Sequence, residues 1–113
     1  MRLSQFKSAK IVDGGRVEVK GPVGDAGGGY SRQNPVPVHF AIVRDGRVMS
    51  GTGHWTSAKN WSGTSDRADR GLTPGPAYAF AMEVRFWWDE PGGNLEDAGG
   101  YMTYSWSQEL ELK

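Results

Sequence analysis

His39 and His54 are the only imidazoles in a chain of 113 residues that has no cysteine. Imidazole, thiolate and carboxylate are the side chains that hold transition metals and move protons near neutral pH. If Asp45-Gly46 forms a two-residue turn, residue 39 faces residue 52 and residue 37 faces residue 54, so the two rings become diagonal neighbours on one face. Two imidazoles make half a zinc site, and this hairpin offers no acidic third ligand at a usable spacing. Two surface histidines are therefore expected, with no metal and no cofactor. Asp89, Glu90, Asn94, Glu96 and Asp97 crowd a second segment. Oxygen-rich loops of that kind bind calcium, but the EF-hand spacing is absent, which points to a solvated hairpin tip and leaves calcium open. The glycine clusters at 21–35 and 89–100 precede no helical pattern, so they do not form a phosphate loop. No nucleophile stands at a readable distance from a base, and the chain is not expected to be an enzyme.

The other candidates for function are aromatic. Five tryptophans are present. Trp88 and Trp106 fall on the inward set of their segments, which makes packing their default role. Trp87 falls on the outward set beside Arg85, and Trp55 and Trp61 lie in a loop-rich stretch. An outward tryptophan is apolar surface that wants a partner. Trp87, Arg85, Trp55 and Trp61 are accordingly the expected partner-binding residues. Tryptophan and arginine are the usual anchors of protein interfaces. Thr103 and Ser105 opposite Trp87 and Arg85 would also suit a sugar ring, so polysaccharide stays open as a ligand.

The elements that must position these residues read as strands. Residues 77–88, AYAFAMEVRFWW, alternate strictly, with Tyr78, Phe80, Met82, Val84, Phe86 and Trp88 on the set read as inward. Such a period of two describes a half-buried strand. Met102, Tyr104, Trp106, Leu110 and Leu112 repeat the pattern, broken only by Gln108. VPVHFAIVR and RVMSGTG flank Asp45-Gly46, the strongest short hairpin signal, because both central residues of a type I′ turn need positive φ. KSAKIV and VEVK flank Asp13-Gly14-Gly15 as a second hairpin. Segment 56–71 is polar and fits a short edge strand or a helical turn. No window shows helical periodicity, so the fold class is all-β.

Length allows one domain over 1–113. Leu, Ile, Val and Phe number only 20, and aromatic bulk replaces them in the core. Thirteen Lys/Arg match thirteen Asp/Glu, but residues 1–48 carry eight against four and residues 83–113 two against seven. The neutral total argues against nucleic acid. The asymmetry would let the basic part of one copy meet the acidic part of another. No apolar run is long enough to span a membrane, and MRLSQFKSAK lacks the apolar stretch of a secretory signal.

Leu72-Thr73-Pro74-Gly75-Pro76-Ala77-Tyr78 resembles the E–F corner of fibronectin type III and other immunoglobulin-like domains, where Leu, Pro and Tyr recur at this spacing. The resemblance covers about 40 residues. It implies an antiparallel immunoglobulin-like β-sandwich of about seven strands. It further implies a tyrosine corner in which Tyr78 bonds backbone upstream, Leu72 packs beneath the turn and Pro74 fixes it. The family's strand B tryptophan has no counterpart in VEVK. A structural or interaction module follows, with a decoration or accessory subunit of a bacteriophage capsid or tail as the first reading. A carbohydrate-binding module is the alternative. The expected partners are capsid or tail subunits or further copies of the chain, and the expected location is a virion or, failing that, the cytoplasm.

Overall fold

A computed structural model describes residues 6–22, 37–57, 60–86 and 101–113, the side chains of 83–86 and 101–104 excepted. Among the described residues seven strands run in chain order: β1 Ser8–Val12, β2 Arg16–Gly21, β3 Val38–Arg44, β4 Arg47–Ser57, β5 Asn60–Ser65, β6 Gly75–Phe86 and β7 Tyr101–Leu112. Both sequence-legible hairpins form. Asp13, Gly14 and Gly15 turn β1 into β2 at φ of 26°, 77° and 107°, and Asp45 and Gly46 turn β3 into β4 at 51° and 75°. β5 occupies the polar 56–71 stretch as an interior strand, not an edge.

The strands close into one barrel in the order β1-β2-β5-β4-β3-β6-β7. This corrects the expectation of an immunoglobulin-like sandwich. A sandwich keeps two hydrogen-bonded sheets about 10 Å apart. Here β4 pairs with β5 from Gly51↔Ser65 to Ser57↔Asn60, and β1 meets β7 in parallel at Ala9↔Leu112. The seam is reinforced by the Ile11 N–H donating to Lys113 O at 2.8 Å and the Lys113 N–H donating to Ala9 O at 3.1 Å. Glycine makes the β4–β5 join possible: a Cβ on Gly63 would stand 2.6 Å from the Gly53 Cα.

The tyrosine corner is likewise absent. The Tyr78 hydroxyl donates to Glu109 Oε1 on β7 at 2.9 Å, not to backbone upstream. Leu72 is buried, but Arg44 fixes the Thr73–Pro76 turn, donating to the carbonyls of Thr73, Pro74 and Pro76 at 3.1, 2.9 and 3.4 Å.

Small residues are interspersed with large ones around the barrel interior, which leaves room for the aromatic rings in a narrow closed sheet. One interior row reads Trp106–Ala81–Phe40–Gly51–Ser65, the next Val38–Gly53–Gly63–Val19. Phe6 fills the middle, edge-on to Trp61 with ring centroids 5.4 Å apart and tilted against Trp106 at 6.4 Å. Gln108, the polar break in the β7 pattern, holds Phe6 in place. Its Oε1 accepts the Phe6 N–H at 3.1 Å and its Nε2 donates to the Phe6 carbonyl at 3.0 Å. Buried Ser65 is fully used too, accepting from the Val17 N–H and donating to Arg67 O, both at 2.9 Å.

Segment 66–71 is tied to both turns through Asp69. Its carboxylate receives the Arg47 guanidinium at 2.6 and 2.7 Å and the Gly71 N–H at 2.9 Å, and its own N–H donates to Gly15 O at 2.9 Å. The Arg47 hydrogen bond, followed by the Gly71 N–H, holds the Asp69 carboxyl below the ordinary aspartate value. A carboxyl depressed by folding adds stability above its unfolded pKa and loses it as pH falls through the folded value. Asp69→Asn should therefore be less stable than wild type at neutral pH and lose stability less steeply below about pH 4. Urea midpoints across that range check this, and parallel acid limbs in the two proteins would count against the pair.

Candidate docking face

The candidate site is built on β6, and it is the reverse of the face the alternation suggested. Ala77, Ala79 and Ala81 point into the barrel, while Tyr78, Phe80 and Met82 stand 52%, 45% and 42% exposed. The reason is volume. Ala81 sits between Phe40 and Trp106 in the interior row, and Ala79 pairs beside Ile42, so β6 has room only for methyl groups inside. A strict period of two fixes that a strand has two unlike faces, and the sum of the other strands' bulk decides which one turns inward.

Cross-strand register sets the neighbours of these three residues on the outer surface. Tyr78 lies between Val43, backed by Val48, and Glu109. Phe80 lies between Ala41 and Ser107. Met82 lies between His39 and Ser105. Val48 is 63% exposed, and the Tyr78 and Phe80 rings run nearly parallel, 28° apart with centroids 6.4 Å apart. The four exposed side chains present on the order of 400 Å² of mainly apolar surface, the size at which a patch on a soluble monomer is often functional. At its Pro76 end the strip deepens into an open hollow of about 480 Å³. Val43, Pro76, Tyr78 and Leu110 line it, and Asp45, Glu109 and Glu111 rim it. The Glu109 hydrogen bond, reinforced by its negative charge, raises the Tyr78 phenol above the ordinary tyrosine value.

The residues singled out in the sequence fall elsewhere. Trp55 and Trp61, read as loop residues available to a partner, belong to β4 and β5 and are core residues, 5% and 1% exposed. Their inward neighbours are glycines (Gly51, Gly53 and Gly63), which left no apolar alternation to reveal the strands. The Arg85 side chain, Trp87, Trp88 and the acidic 89–97 loop lie outside the described residues. His39 and His54 are both exposed, and among the described residues no group of three or more His, Cys, Asp or Glu could hold a metal ion. Phe80, Met82, Val48 and Glu109 were missed. The signal that would have found them is the run of alanines at 77, 79 and 81, which marks a face too slight to be the strand's contribution to an aromatic core.

Fold and face together define an all-β closed barrel with an apolar strip along its outer wall. Comparison with known protein families, with curated proteins and with solved structures found no match.

Proposed function

We propose that the chain is a non-catalytic structural and interaction module that docks onto a protein assembly through the outer faces of β3, β4 and β6. The observation that carries this reading is the exposed row Tyr78, Phe80 and Met82 with Val48 beside it. Exposed aromatic and methionine side chains supply adaptable contact area at protein interfaces. Within that class we favour a subunit decorating a bacteriophage capsid or tail, where a small barrel with an outward apolar strip has a structural task. The near-parallel Tyr78 and Phe80 rings beside Ser107 support a second reading, a polysaccharide platform. Val48 and Met82 extend the strip with aliphatic surface that offers a sugar little, and this favours protein.

Phe80→Glu separates these readings. The side chain is half exposed, so its replacement should change stability by no more than about 1 kcal/mol. The wild type should cosediment with the host's particles and the variant should not. Cosedimentation unchanged by Phe80→Glu would remove the strip from docking, and retention of the wild type on an insoluble polysaccharide, lost in the variant, would establish the second reading.

A further inference from the structure

The strip is apolar along most of its length and acidic at one end. Glu109 and Glu111 follow each other on the outer face of β7, opposite Tyr78 and Pro76, and Asp45 stands at the adjoining turn. Among the described residues no ion pair joins any of the three to a cation. Arg44, the nearest basic residue in sequence to Asp45, is engaged with the carbonyls of the 73–76 turn, and Lys113 lies past the end of β7, where its backbone bonds β1. At the other end the residues facing Phe80 and Met82 from β7 are Ser107 and Ser105, both uncharged. Apolar wall and carboxylates without an ion-pair partner meet in one hollow, Glu109 keeping one oxygen on the Tyr78 hydroxyl, and together they are the complement of a side chain with an apolar stem and a cationic head.

We propose that the docked partner presents an extended segment whose apolar side chains lie along Met82, Phe80 and Tyr78 and whose arginine or lysine enters the hollow at Asp45, Glu109 and Glu111. The inference rests on the docking reading above and adds the partner's chemistry and polarity. An extended segment repeats its same-side residues every 6–7 Å or so, the spacing at which Tyr78, Phe80 and Met82 recur along β6. The cation anchors one end, so the segment runs in a single direction.

The full chain, labelled with ¹⁵N, can be titrated with a short synthetic peptide of alternating leucine and serine closed by arginines, and with the same peptide closed by glutamates. The arginine peptide should shift the amides of Tyr78, Phe80 and Glu109 and bind about tenfold more tightly than its acidic twin, the effect of a few exposed charge pairs. Joint Glu109→Gln and Glu111→Gln substitution should shrink that preference to about twofold, the share left to Asp45, while leaving the melting temperature in place. Equal binding of the two peptides, binding of neither, or shifts mapping elsewhere would overturn the proposal. Failure here with cosedimentation still dependent on Phe80 would discard the cationic segment and keep the docking face. Loss of Phe80-dependent cosedimentation would discard the face itself.

Discussion

Trp61→Ala is expected to cost about 3–5 kcal/mol, the range for removing a large aromatic side chain from a packed interior. Trp61 is 1% exposed, packs edge-on against Phe6 at 5.4 Å, and lies so close to β4 that a Cβ on Gly53 would stand 2.7 Å from its ring. Gly53, against the ring on the β4 side, has no side chain to fill the space the indole would leave. Small domains have about 5–15 kcal/mol in total, so the variant should sit at the edge of folding. Trp61→Phe should lose clearly less. It keeps a ring against Phe6, and the indole N–H it deletes is buried without a hydrogen-bond partner. Urea midpoints measure both. A loss below about 1 kcal/mol for the alanine variant would mean that Trp61 is surface after all, and would return it to the residues available to a partner.

Gly15→Ala should cost about 2–4 kcal/mol through two separate penalties. Its φ of 107° is a conformation that L side chains rarely adopt, and its Cβ would run into the Asp69 carbonyl. The same residue donates its N–H to Val12 O at 3.0 Å and accepts the Asp69 N–H at 2.9 Å, so the turn cannot shift without breaking a bond on one side. Gly14→Ala supplies the control. Its φ is 77° and a Cβ there meets nothing within 4 Å, so it bears the conformational penalty alone, about 1 kcal/mol. Equal losses at the two positions would show that segment 66–71 does not press on the turn.

The fold was legible where a residue type is the only one that fits. Asp45-Gly46 and Asp13-Gly14-Gly15 could be placed because positive φ leaves few alternatives. The period of β6 and β7 was legible from another local signal, the alternation of bulky residues. What was not legible depends on the whole. Closure of the barrel is decided by β4 lying along β5 and by one parallel contact between Ala9 and Leu112, at opposite ends of the sequence. The core tryptophans Trp55 and Trp61 hid behind inward glycines. Of the candidate site, Tyr78 was singled out for a bond it does not make. Phe80 and Met82 were assigned to the core because bulk is normally interior, a rule that fails once other strands have filled the interior.

The alanines of β6 have a consequence for how this surface can change. Ala77, Ala79 and Ala81 commit only methyl groups to the interior, while Tyr78, Phe80 and Met82 make the outward contacts of the same strand. On the proposed docking reading, folding and recognition are thus written on alternate letters of one segment, with almost no shared atoms. The outward letters can be rewritten, in the laboratory or by descent, with little effect on the barrel beneath, so that on this reading one scaffold would serve for more than one partner.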